Sequence, residues 1–207
     1  MSVARTAPQP GVSGRPVALG RAFYRRDPRE VAPDLLNKVL LSADGRSGRI
    51  VETEAYCGPL DPAAHSWRGR TARNATMFGV PGLLYVYFTY GMHWCCNPVC
   101  GEEGEGVAVL LRALAPLTGL AAMRAARPAC RSDRDLCRGP ARLCQAMGID
   151  RTQDGIDLVD GSGGFSIVDD GVPPPAVPVA TTRVGITRAI EQPWRWYVPG
   201  DAHVSRR

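Results

Sequence analysis

VLLSADGRSGRIVETEAY, residues 39–56, reads as strand, turn, strand. An apolar run leads into the Asp44-Gly45 pair that a tight turn demands. A second extended run follows at about 47–56. Side chains on a strand alternate between faces, so Ile50, Glu52, Glu54 and Tyr56 are expected on one side and Arg49, Val51, Thr53 and Ala55 on the other. Two carboxylates about 6.5–7 Å apart then point the same way. A Glu-Thr-Glu run is ordinarily the wet face of an edge strand. Tyr56, and a Gly-Pro loop carrying Asp61 and His65 directly after it, favour a sheltered carboxylate suited to general-base work. Two glutamates side by side on one strand do not flank a bond, as the carboxyl pair of a sugar glycosidase does. Parity leaves Glu52 and Glu54 both open for the role.

Downstream, LLYVYFTYGMHWCCN (83–97) carries the same period-two signal. Tyr85, Tyr87 and Thr89 fall on one face and Val86 and Phe88 on the other. After Gly91 the alternation resumes, with His93, Cys95 and Asn97 opposite Met92, Trp94 and Cys96. A hairpin with Tyr90-Gly91 at its tip explains the break. Tyr90 then stands where burial is least available, either folded onto its own loop or exposed as a wedge able to enter a base stack. Zinc is disfavoured, because the chain has no C-x2-C pair and adjacent cysteines on a strand face opposite ways. The seven thiols read as small buried apolar groups, and no metal or other cofactor is expected.

Residues 1–20 are rich in Pro, Gly and Ser and read as a disordered tail, leaving 21–207 as one folded domain. In DPREVAPDLLNKVLL, Asp27 with Pro28 predicts one helix start and Asp34 a second. Residues 57–82 read as loop, 106–114 as a buried strand, and 116–129 and 139–149 as helices. Short strands are expected at IDLVD (156–160) and FSIVD (165–169), and a last strand pair at TRVGIT (182–187) and WRWYV (194–198). Helices interposed at irregular intervals among strands give an α+β class.

Of the 25 Lys and Arg residues only Lys38 is lysine, and the formal charge is +5. Arginine forks suit phosphate, so a polyanionic partner fits. Imine chemistry needs an unprotonated amine, and Lys38 sits in a helical segment ahead of the first strand. Unless Lys38 or the N-terminus serves, water is the nucleophile. An odd cysteine count without a secretory segment fits a reducing, intracellular setting. No apolar run approaches the roughly 18 residues that span a bilayer.

GRIVETEAYCGPLDPAAHS (48–66), PGLLYVYFTYGMHWCCN (81–97), VLLRALAP (109–116), LCRGPARLCQAMGI (136–149) and TRVGIT (182–187), in that order, resemble the alkyladenine (3-methyladenine) DNA glycosylase family. The resemblance implies a single mixed domain with a curved antiparallel sheet, similar to the C-terminal domain of formyltransferases. It also implies a metal-free, monofunctional, monomeric enzyme acting on double-stranded DNA in the cytoplasm, or the nucleoid of a bacterium. Such an enzyme flips alkylated or deaminated purines (the 3-methyladenine, 7-methylguanine, hypoxanthine and ethenoadenine class) and hydrolyses the N-glycosidic bond. Glu54 matches the family's general base and Arg112 the arginine that helps hold the water, with the backbone of Val184 and Gly185 as a further water or phosphate contact. Tyr56, His65 and Tyr87 match the pocket walls, Asn97 the residue that screens exocyclic groups, and Tyr90 the wedge. The backbone of Ala63 and His65 would read the base edge. Two rivals remain: a catalytically silent nucleic-acid-binding module, which has no need of Glu54 with Arg112, and a tRNA-binding domain resting on fold analogy alone.

Overall fold

The apolar runs around residues 40, 50 and 110 become the middle of a single sheet. The computed structural model describes residues 16–206. In chain order the strands are β1 (Val17–Ala18), β2 (Val39–Ser42), β3 (Ser47–Tyr56), β4 (Leu84–Thr89), β5 (His93–Cys100), β6 (Val107–Thr118), β7 (Phe165–Asp169), β8 (Val179–Thr181) and β9 (Arg195–Tyr197). The helices are α1 (Arg21–Tyr24), α2 (Pro28–Asp34), α3 (Leu120–Ala126) and α4 (Pro140–Met147). All pairings are antiparallel, in the order β1-β7-β2-β3-β6-β5-β4, and the sheet curls into a half-barrel. The α+β class expected from the sequence is what the molecule has.

β3 is the organising strand. One edge pairs along its length with β6; the other pairs first with β2 (Val39↔Arg49) and then with β9 (Glu52↔Tyr197). Where β2 gives way to β9, the ladder between β3 and β6 is irregular, with register shifts between Ile50 and Glu52 and again between Glu52 and Thr53. The second shift cancels the first, so Ile50↔Leu114 and Thr53↔Leu111 are both in step. Between them, both strands turn over. Ile50, Ala55, Leu111 and Leu114 all belong to the main core, whereas Val51 and Ala113 pack on the opposite face with Val204. Strict parity over 50–56 therefore fails at one point. Ile50 faces away from Glu52, Glu54 and Tyr56, because a paired bulge re-aims side chains without ending the strand.

The main core lies between the sheet and the helices, filled by Val31 of α2 and Leu35 just after it, Met123 of α3, Leu143 and Met147 of α4, and Leu40, Val86, Cys96 and Val109 of the sheet. α2 starts as expected, with Asp27 accepting from the Arg29 amide. Asp34 ends that helix and begins no second one, since Leu35 and Leu36 are drawn into the core. α4 stops at Gly148, whose φ of 71° ends the helix without the strain a side chain would meet there.

Other expectations shift. β6 continues through Pro116 to Thr118, so the helix expected from 116 begins at Leu120. FSIVD is strand β7, but IDLVD is only a bridge of Leu83 to Asp157, held by Leu84 N–H on the Ile156 carbonyl and Leu158 N–H on that of Gly82. WRWYV supplies β9, yet its partner is Val179–Thr181, and TRVGIT is loop. Of the tail expected over 1–20, residues 1–15 lie outside the described residues. Val17–Ala18 already pair with β7.

Candidate active site

A cavity of about 610 Å³ opens where the curled sheet meets two loops. Tyr56 from the end of β3, Ala108, Leu110 and Arg112 from β6, and Tyr85, Tyr87, Cys95 and Asn97 from the β4–β5 hairpin line it. Ala63, His65 and Trp67 come from the loop after β3; Val184, Gly185 and Arg188 come from the loop after β8. The hairpin faces are those the alternation requires: Tyr85 pairs with Asn97, Tyr87 with Cys95 and Thr89 with His93, and all six line the cavity.

Glu54 lies directly behind this wall and is fully buried. Its Oε1 accepts from the Val184 amide at 2.7 Å and lies 3.1 Å from Nη1 of Arg112; its Oε2 accepts from the Tyr56 hydroxyl at 2.9 Å. Tyr56, Arg112 and Val184 all line the cavity, so each holder of the carboxylate is also part of its wall. A carboxylate has about four acceptor positions, and three are used. Burial holds the Glu54 carboxyl above its ordinary range, opposed first by the Arg112 charge and then by the Val184 amide and the Tyr56 hydroxyl. Burial, with the neighbouring Glu54 charge, likewise raises Tyr56 well above a normal phenol. The pair is a buried carboxyl group capped by a neutral phenol.

The walls are aromatic. Tyr87 stacks on Tyr85 with ring centres 5.4 Å apart and meets His65 edge-on at 4.5 Å. By area His65 is an exposed residue, but its ring looks into the cavity, and the surrounding protein together with Arg73 lowers its pKa. Its Nδ1 lies 3.3 Å from the Tyr85 hydroxyl. The Ala63 amide donates to Asp61 Oδ1 and is committed, while the His65 carbonyl accepts from Asn74 Nδ2 and keeps one lone pair. Asn97, buried, donates from Nδ2 to the Tyr85 carbonyl. The Cys95 thiol is pushed up to about 11 by burial and is a neutral packing group. Among the described residues, no three His, Cys, Asp or Glu side chains are grouped to hold a metal.

At the mouth, Tyr90 is 77% exposed, with Met92 beside it at 67%. Tyr90 and Gly91 both have positive φ, 51° and 65°, as in the tight turns that match strand twist. Gly91 tolerates this; Tyr90 is held there by the hairpin.

The structure thus brings together every residue that the sequence nominated: Glu54, Tyr56, Ala63, His65, Tyr87, Tyr90, Asn97, Arg112, Val184 and Gly185. It adds some the sequence did not. Arg183 is buried and bonds Asp61 (Nη2 to Oδ1, 2.8 Å), clamping the loop after β3 to the loop after β8, and its guanidinium lies 4.8 Å from the Tyr56 ring centre. Across the mouth, Arg188 of the second loop stacks on Trp67 of the first at 5.2 Å. Behind Glu54, Arg195 and Ser205 bind Glu52.

The model of the methylpurine-DNA glycosylase family matches residues 22–202. A protein of Burkholderia orbicola named "Putative 3-methyladenine DNA glycosylase" is 63% identical over 96% of this chain and 94% of its own. Proteins of the same name from Koribacter versatilis and Streptomyces avermitilis are 47% and 46% identical, each over 90% of this chain and over 92% and 90% of their own.

Asp61→Asn leaves the buried Arg183 charge without its counterion, and truncating one partner of such a pair costs about 3–5 kcal/mol. Urea denaturation is expected to show a loss of that size, with the midpoint falling and the slope unchanged.

Proposed function

Because the chain belongs to the methylpurine-DNA glycosylase family, we propose that it removes alkylated and deaminated purines from duplex DNA by flipping them into the cavity and hydrolysing the N-glycosidic bond with a Glu54-activated water. That it is a DNA glycosylase of the 3-methyladenine type follows from the family and its relatives. The rest is carried by one observation: a buried carboxylate whose every holder is also a wall of an aromatic cavity.

A purine alkylated at N3 or N7 is cationic and departs with the bonding electron pair as a neutral base. The Tyr56 and Tyr87 faces attract that cation and offer less to a neutral normal base. As the bond to C1′ lengthens, water adds its oxygen to C1′ and passes its proton to Glu54. The water enters at the remaining acceptor position on Oε2, between Tyr56, Arg112 and the Val184 loop; catalytic contacts often tighten only when substrate is in place. A neutral base such as hypoxanthine needs its edge read and its departure assisted. The Ala63 carbonyl can accept from N1–H, and the His65 amide can donate to O6. Tyr90, exposed at the hairpin tip, fills the gap left in the stack and lowers a flipping cost of a few kcal/mol.

No lyase activity is expected. Lys38 is buried and bound to Asp169 at 2.6 Å, on the β2–β7 side of the sheet, and is absent from the cavity lining. The N-terminal residue lies outside the described residues.

The test is excision from duplex oligonucleotides bearing one hypoxanthine or ethenoadenine, and from alkylated DNA, with abasic sites cut by hot alkali. Cutting is expected; none with any lesion overturns the reading. Glu54→Gln should bind lesion duplex and lose about 10²–10⁴ in single-turnover rate, the usual contribution of a general base. With a pKa raised by burial, Glu54 takes up its proton at a higher pH than a free glutamate. The rate should therefore fall as pH drops through a point above the ordinary carboxylate range of about 4.3. Tyr90→Ala should slow excision of a well-paired lesion by about tenfold, and less for a mispaired one, because flipping is cheapest at a mispair.

A further inference from the structure

We infer that Glu52 is a positioning residue for the proposed excision chemistry, its buried carboxylate fixing the guanidinium of Arg112 against Glu54. The inference rests on the reading of Glu54 as the base, and goes beyond it. Glu52 has no exposed surface and four bonds. Its Oε1 accepts from Arg112 Nε at 2.9 Å, Arg195 Nη1 at 2.9 Å and Ser205 Oγ at 3.0 Å; its Oε2 accepts from the Ser205 amide at 2.6 Å. Arg112 reaches Glu52 through Nε, Glu54 through Nη1 and Ser205 Oγ through Nη2 at 3.3 Å.

A guanidinium is a rigid plane, so anchoring Nε fixes where Nη1 points. Glu52 also divides the cation. Without it, Arg112 would be at liberty to turn two N–H groups onto Glu54, a bidentate pairing that strengthens the bond and weakens the base. The paired bulge of β3 and β6 is what sets these side chains on one face. Arg195 balances the added charge, its Nε on the Thr182 carbonyl and its Nη1 also on that of Arg206.

The charged and titratable groups around Glu54 are Glu52 and Tyr56 on β3, Arg112 on β6, Cys95 on β5 and Arg183 in the loop after β8. Glu52→Gln removes a negative neighbour and loosens Arg112, since a neutral amide oxygen holds it less strongly than a carboxylate. Both changes favour ionised Glu54. The acid limb of the rate profile should consequently move to lower pH, a displacement that a merely loosened fold does not produce.

The experiment compares wild type, Glu52→Gln, Ser205→Ala and Glu54→Gln by thermal melting, by binding to duplex with an abasic-site analogue, by single-turnover excision from pH 5 to 9, and by NMR of the arginine Nε–H groups. Glu52→Gln is expected to bind normally, to excise about 10-fold to 100-fold more slowly, as small misplacements of a catalytic group do, and to show the lowered acid limb. The Arg112 Nε–H signal should exchange markedly faster in Glu52→Gln, whose neutral amide oxygen is the weaker acceptor, and persist in Glu54→Gln. A folded Glu52→Gln with the wild-type rate, with a slowed rate and an unmoved acid limb, or with the Arg112 signal intact, overturns the inference. Should Glu52→Gln not fold, Ser205→Ala decides: a loss of roughly threefold to tenfold supports the inference, and an unchanged rate overturns it. A wild type that excises nothing sinks the proposed activity instead, while the Nε–H signal still reports whether Glu52 holds Arg112.

Discussion

Two carboxylates and two guanidiniums share one buried volume: Glu52, Glu54, Arg112 and Arg195. Burying four charges is tolerable because they sum to zero and because hydroxyl and amide groups of Tyr56, Val184 and Ser205 meet further lone pairs of the two carboxylates. Such a cluster constrains everything near it. β3 and β6 must distort together to present their side chains on one face, β9 must replace β2 along the edge of β3, and the loop at 182–188 must come down over Glu54.

The cavity wall follows from that constraint. Its polar end is the charged cluster; its other surfaces are Tyr56, Tyr87, His65 and Asn97, set by the regular alternation of the hairpin and by the loop that the Asp61–Arg183 pair clamps down. Inside such a wall, electrostatic attraction is stronger than in water, because little solvent screens it. The same dryness that raises the Glu54 pKa makes its ionised form a stronger base.

Much of this was legible from local pattern. The turn at Asp44-Gly45, the second strand at 47–56, the hairpin tip at Tyr90-Gly91 and the facing of Tyr87 with Asn97 all follow from period-two alternation and turn chemistry. The choice between the two glutamates does not: parity placed Glu52 and Glu54 together, and resemblance to a family was needed to favour Glu54. The paired bulge was invisible, since no glycine or proline marks Val51, Glu52, Arg112 or Ala113. IDLVD failed as a strand because its backbone is taken up by Gly82 and Leu84 in a single bridge. TRVGIT failed because Arg183 and Val184 are committed to Asp61 and Glu54, more than a hundred residues away in the chain.

That separation has a consequence for how the centre comes into being. Glu52 meets Ser205 across 153 residues and Arg195 across 143, and contacts of such span form only after the loop between them has closed. A chain emerging from the ribosome can build β2, β3 and the aromatic hairpin early, yet it has no locked Arg112 until the segment around Ser205 has been made and has docked. The hairpin walls of the cavity can therefore form ahead of the locked charge behind them, and the wall at 184–188 closes with that charge.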